Sequence, residues 1–198
     1  MRATTRREFV DGPAGRIECA VDEPEAGARG AALIAHPHPL YGGTLDNKVV
    51  QTLARAFQDL GYETWRPNFR GVGATEGAHD EGRGELEDLH AVVRSRLSGK
   101  LVLAGFSFGA AVAAQLAQRV PAERLVLVGV AVTRLPVPPV APDTLVIHGE
   151  NDDTVPLAAV LDWARPQELP VVLVPGADHF FHRKLQILRS IVQANWKQ

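Results

Sequence analysis

The chain has 198 residues, an apolar fraction of 45%, a charged fraction of 22% and a formal charge of −2. That balance excludes disorder as the main state, and the lack of a basic excess argues against binding a nucleic-acid backbone. One domain spanning 1–198 is expected, long enough to fold without disulfides or a structural metal.

The N-terminal stretch is basic, but no apolar run follows it, so no signal peptide is expected. No apolar stretch approaches the ~20 residues of a membrane span. The single cysteine, Cys19, leaves no disulfide framework within the chain and no Cys-rich metal site. It fits a reducing compartment, and a cytoplasmic protein is expected.

Residues 16–21 and 31–35 read as strands. Phe9 and Val10 belong to an earlier one, and strands before Ala31 are expected to be antiparallel edge strands. Residues 46–60 read as a helix, with Val49, Val50, Leu53, Ala54 and Phe57 at helical spacing and Gly61 as its stop. A strand over 62–66 and a helix over 85–97 follow. Next come a strand over 101–104 and an Ala-rich helix over 107–119, ended by Pro121. Residues 125–130, 144–148 and 171–174 are three further strands, and 185–196 is a closing helix.

Strands that are apolar almost throughout imply a sheet covered on both faces, hence a mostly parallel one. Alternation with helices gives an α/β architecture with helices on both sides. Residues 131–143 carry Pro136, Pro138, Pro139 and Pro142. Proline this dense disfavours a regular helix, and the segment reads as an extended crossing rather than an inserted domain.

Gly105-x-Ser107-x-Gly109 lies between a strand and a helix, the context of a nucleophile elbow. The chain has four serines and 18 glycines, and chance would give this pattern only about 0.03 times per chain. The turn needs small residues two positions either side of Ser107. It lifts the hydroxyl to the positive end of a helix and aims the Phe108 N–H at a developing oxyanion. The bland alternative is a tight turn without chemistry.

After the strand at 144–148, Asp152 and Asp153 are both candidates to orient an imidazole. Helix capping ahead of Pro156 suits Asp153 better. After the last strand come His179 and His182. His179 is the better base because it lies soonest after Gly176; His182 is expected at the start of the last helix, capping it or facing solvent. The order Ser, Asp, His is that of one hydrolase class.

After the strand at 31–35 lies the tract His36-Pro37-His38-Pro39-Leu40-Tyr41. A second oxyanion donor is expected here. The prolines have no N–H, so His38 or Leu40 must supply it, and the backbone of His38 is favoured. Metal binding by His36 and His38 is a weaker reading, since no third ligand is evident. His36 reads instead as a buried residue that hydrogen-bonds the loop. The glycines at 71 and 73 fit neither a P-loop nor a dinucleotide fingerprint. Arg70 is expected to be held by internal hydrogen bonds.

The tracts HPHPLYGGTLDNKVV (36–50), RPNFRGVGAT (66–75), GFSFGA (105–110), HGENDDTVP (148–156) and GADHFF (176–181) resemble the α/β-hydrolase superfamily. Within it they are similar to a small lidless bacterial group of dienelactone-hydrolase-like proteins with serine as nucleophile. The resemblance covers essentially the whole core. It implies Ser107 as nucleophile, Asp152 as the acid and His179 as base, with no cofactor or metal. Many members insert a cap where this chain has only 131–143, so the cleft should be open. True dienelactone hydrolases use cysteine, so their substrate does not transfer.

The expected activity is hydrolysis of small-molecule or acyl carboxylic esters, with Leu40, Tyr41, Phe106 and Phe180 as candidate substrate contacts. A thioesterase or acyltransferase on the same residues is the alternative enzyme, and a non-catalytic binding member is the other class. An exposed apolar rim would allow pairing with a second subunit.

Overall fold

A computed structural model describes residues 5–196. Residues 1–4, which open the basic N-terminal stretch, and residues 197–198 lie outside the described part. The strands are β1 (Arg6–Gly12), β2 (Gly15–Asp22), β3 (Gly30–Ala35), β4 (Tyr62–Pro67), β5 (Leu101–Phe106), β6 (Arg124–Val128), β7 (Leu145–Gly149) and β8 (Val171–Val174). They form one sheet of order β1-β2-β4-β3-β5-β6-β7-β8. β1 pairs antiparallel with β2, and β2 with β4; every other pair is parallel. The antiparallel strands therefore occupy one edge, as the sequence led us to expect, and β1 extends well beyond Phe9 and Val10.

The helices are α1 (Lys48–Asp59), α2 (Arg83–Arg96), α3 (Phe108–Leu116), α4 (Leu157–Ala164) and α5 (Leu185–Ala194). Successive strand residues point to opposite faces, and each face has its own core. Leu33, Leu103, Leu125 and Leu127 pack with Leu89 and Val92 of α2, residues 110–114 of α3 and Val160 of α4. Ala32, Ile34, Val102, Ala104, Val126 and Val128 pack with Leu53 and Phe57 of α1 and Leu188 and Val192 of α5. Burial on both sides is why these strands read as unbroken apolar runs.

α1 begins at Lys48, not Asp46, because the Asn47 side chain accepts hydrogen bonds from the N–H groups of Val49 (2.9 Å) and Val50 (3.4 Å). Its predicted apolar positions are all buried. α4 is the element the sequence reading left open. Its one start signal is Pro156, which heads it without a side-chain cap, and only Val160 and Ala164 are buried, so no strong periodicity announces it.

The crossing over 131–143 contains no helix. Side chains hold it from both flanks: Gln115 Nε2 donates to Pro136 O (2.8 Å), Trp163 Nε1 to Val137 O (3.1 Å), and Gln118 Nε2 to Pro139 O (3.1 Å). Among the described residues, no helix is long and apolar enough to cross a membrane.

In register, Ala35 lies beside Gly105, Phe106 beside Val128, and Gly149 beside Val174. The loops after β3, β5, β6, β7 and β8 thus all leave from the C-terminal edge of the parallel strands, where ligands bind in open α/β sheets.

Candidate active site

Ser107 sits between β5 and α3 with φ 56° and ψ −116°, a backbone conformation that an L-residue rarely adopts. Its N–H is held by Val128 O (2.9 Å). A Cβ on Gly105 would lie 2.3 Å from Gly109 O, and one on Gly109 would lie 2.4 Å from the carbonyl oxygens of Ala35 and His36. Both glycines are required by close backbone approach: Gly105 to the start of α3, as the sharp turn implies, and Gly109 to the chain at the end of β3, which the spacing alone does not reveal.

Serine ahead of a helix ordinarily caps it through its hydroxyl. Ser107 makes no such bond. Its Oγ instead lies 3.0 Å from His179 Nε2, and His179 Nδ1 lies 2.7 Å from Asp152 Oδ2. All three residues are buried. With the Nδ1–H donated to Asp152, Nε2 is free to accept the Ser107 proton. The other carboxylate oxygen, Asp152 Oδ1, accepts from the N–H groups of Val155 (2.7 Å) and Thr154 (3.0 Å), which fixes its orientation.

The acid and histidine loops are stitched together. Asn151 N–H donates to Ala177 O (2.8 Å), and Gly176 N–H to Glu150 Oε2 (2.7 Å). A Cβ on Gly149 would meet Ala177 O at 2.5 Å, so only glycine permits that approach. Asp153 is exposed and contacts only the Thr154 hydroxyl among the described side chains. His182 turns outward to Asp178 (2.6 Å). It lies in the turn just before α5 and faces solvent.

The loop after β3 closes through Tyr41 N–H and Gly43 N–H, both donated to His38 O (3.1 and 3.0 Å). Leu40 N–H is taken by His38 Nδ1 (3.2 Å). Phe108 heads α3, so its N–H has no acceptor within the helix. Among the described residues, no protein acceptor takes the N–H of His38 or Phe108. Of the two alternatives for the second donor, Leu40 is occupied and His38 is free.

His36 is fully buried and uses both ring nitrogens on backbone groups: Nδ1 with Pro37 O (2.7 Å) and Nε2 with Phe69 N–H (2.9 Å). Burial pushes its pKa down to about 4. It has no nitrogen left for a metal, and it ties the loop after β3 to the chain after β4. Burial, and then the neighbouring His79, also lower the pKa of His38. Arg70 grips both oxygens of Asp88 (2.7 and 2.8 Å), as expected.

Beside Ser107 and His179 opens a cleft of about 310 Å³, walled by Tyr41, Gly42, Gly43, Asn47, Arg134, Thr154 and Phe180. Of the four candidate contacts, Tyr41 and Phe180 wall the cleft, and two do not. Leu40 is 69% exposed on the outer side of its turn and does not line the cleft. Phe106 is fully buried in the core beneath α1 and α5, its ring 4.9 Å from that of His179. It supports the imidazole rather than walling the cleft.

His148 was not singled out by the sequence. Its Nε2–H donates to Val155 O (3.0 Å), clamping the turn whose N–H groups hold Asp152, and the same nitrogen lies 3.6 Å from Asp152 Oδ2. Burial lowers its pKa, which disfavours its charged form. Its position at the end of β7, four residues before Asp152, was the available signal.

The Alpha/beta hydrolase family model matches residues 32–141, more than half of the chain. The chain belongs to this family. An α/β serine hydrolase without a lid from Xanthomonas campestris matches this α/β hydrolase at 38% identity and TM-score 0.89, covering 98% of this chain and 94% of that one. An α/β serine hydrolase homologue from Coxiella burnetii matches at 37% identity and TM-score 0.88, covering 100% of both. An uncharacterized protein of Rickettsia prowazekii is 32% identical over 203 residues, covering 90% of this chain and 83% of its own. In this α/β hydrolase only the short crossing over 131–143 links β6 to β7.

Proposed function

We propose that the protein is a serine hydrolase that cleaves carboxylic esters through an acyl-enzyme on Ser107. The observation that carries this reading is the continuous line from Ser107 Oγ through His179 to Asp152 Oδ2, at 3.0 and 2.7 Å, opening on a cleft.

In this reading His179 Nε2 takes the Ser107 proton as Oγ attacks the ester carbonyl. The carbonyl oxygen becomes an oxyanion, and the free N–H groups of Phe108 and His38 stabilise it. The C–O bond to the alcohol breaks, and His179 returns the proton to the leaving alkoxide. Water then enters, gives a proton to His179 and attacks the acyl carbon. Collapse releases the carboxylic acid and restores the Ser107 hydroxyl. Asp152 keeps the imidazole in the required tautomer and stabilises its charged form.

A fluorophosphonate tests the reading. One adduct by intact mass on the wild type and none on Ser107→Ala is expected. Matched oxygen-ester and thioester panels then separate an esterase from a thioesterase. No adduct on either protein would overturn the hydrolase reading.

A further inference from the structure

We infer that Arg134 selects esters that carry a carboxylate, an inference that rests on the hydrolase reading above. Arg134 lines the main cleft, and it also lines an adjoining recess of about 50 Å³ formed with Phe108, Ala131 and Val155. It is the one residue carrying a fixed charge among those lining either space. No carboxylate is among the residues lining either space, and Asp152 has no exposed side-chain surface and is spent on His179, Thr154 and Val155.

Among the described residues Arg134 also has no ion-pair partner; Glu81, just ahead of α2, and Glu85, in the first turn of α2, lie against His79 instead. An arginine near Asp or Glu ordinarily pairs with it, as Arg70 does with Asp88. A guanidinium left open at the cleft presents a forked donor that matches a carboxylate.

The backbone under Arg134 is built onto the serine. Ala131 N–H donates to Ser107 O (3.2 Å), and the N–H groups of Arg134 and Leu135 donate to Ala131 O (3.0 and 3.3 Å). The turn that carries Arg134 is therefore referenced to the proposed nucleophile, and the hydrogen bonds from Gln115 and Trp163 hold the segment that follows. In the lidless fold this crossing is the only stretch between β6 and β7, and its side chain at 134 takes part in forming the cleft.

The test compares two pairs, each a free acid and its methyl ester. One is the mono-p-nitrophenyl ester of adipic acid against its methyl diester, placing the charge on the acyl side. The other is 4-acetoxybenzoate against its methyl ester, placing it on the alcohol side. The wild type should favour the acid member of at least one pair by roughly fivefold to tenfold in kcat/KM, the scale of a charge-assisted contact open to solvent. Arg134→Gln should remove that preference, lowering the acid member by that factor more than the methyl member, and Arg134→Lys should retain part of it. Added salt should shrink the preference. If methyl esters turn over and neither pair shows a preference, or Arg134→Gln lowers both members equally, this inference falls and the hydrolase reading stands. If no ester turns over and fluorophosphonate does not label Ser107, both fall.

Discussion

His179 Nδ1 lies 2.7 Å from Asp152 Oδ2, while Asp152 Oδ1 is fully taken by the N–H groups of Thr154 and Val155. One carboxylate thus does two separate things through its two oxygens. Asp152→Asn separates them. The amide oxygen can still accept from Thr154 and Val155, so the turn should keep its shape. The amide nitrogen must then face His179 and donate to Nδ1. That forces the proton onto Nε2, which can no longer accept from Ser107. The expected outcome is a loss of about 10⁴ in kcat for ester hydrolysis with folding retained, measured by steady-state kinetics beside circular dichroism. A loss below tenfold would show that the pair does not set the tautomer.

The second oxyanion donor can be removed cleanly. His38 has φ −54°, which proline adopts without strain. His38→Pro deletes the N–H, but it also deletes the ring that holds Leu40 N–H. His38→Ala deletes only the ring and is the reference. If the His38 N–H binds the oxyanion, the proline variant should lose roughly 10²- to 10³-fold in kcat relative to the alanine variant. Equal rates for the two would assign the donor elsewhere.

The parts legible in the sequence are those whose physics is local. Ser107, Asp152 and His179 each sit in a short loop directly after a strand, and the close approaches at Gly105, Gly109 and Gly149 fix residue types at set spacings. Phe106 and Leu40 were misplaced because neighbourhood in sequence does not say which side of an element faces the cleft. Phe106 is the last residue of β5 and falls on the α1/α5 face; Leu40 falls on the outside of a single 3₁₀ turn. His148 and Arg134 had no periodicity to betray them. Their roles come from what folding brings against them: Val155 O for one, and an open cleft beside Ser107 for the other.

The elbow glycines should matter for stability as well as for chemistry. At Gly109 an added Cβ would press on two backbone carbonyls, which cannot move without shifting β3. Gly109→Ala should therefore cost about 3 kcal/mol or more. Gly99 is the contrast: it has φ +78° but nothing within 4 Å of an added Cβ, so Gly99→Ala should cost only about 1–2 kcal/mol of backbone strain. Urea unfolding midpoints for the two variants measure the difference, and equal losses would contradict the close approach at Gly109.

His36 makes the fold sensitive to acid. Its pKa is pushed down from the ordinary 6.5 to about 4 by burial, so the folded state resists protonation. Above pH 6.5 both states hold a neutral imidazole and there is no penalty. As pH falls below 6.5 the unfolded chain binds the proton first, and stability drops until the folded state also protonates near pH 4. The full difference corresponds to about 3 kcal/mol. Burial lowers the pKa of His148 too, which acts in the same direction. His36→Asn should be less stable at pH 7, because it meets Pro37 O and Phe69 N–H less well. Its further loss between pH 7 and pH 4.5 should be smaller than the wild type's by about 2–3 kcal/mol. Urea unfolding at the two pH values decides it: parallel losses in variant and wild type would mean that His36 does not carry the acid sensitivity.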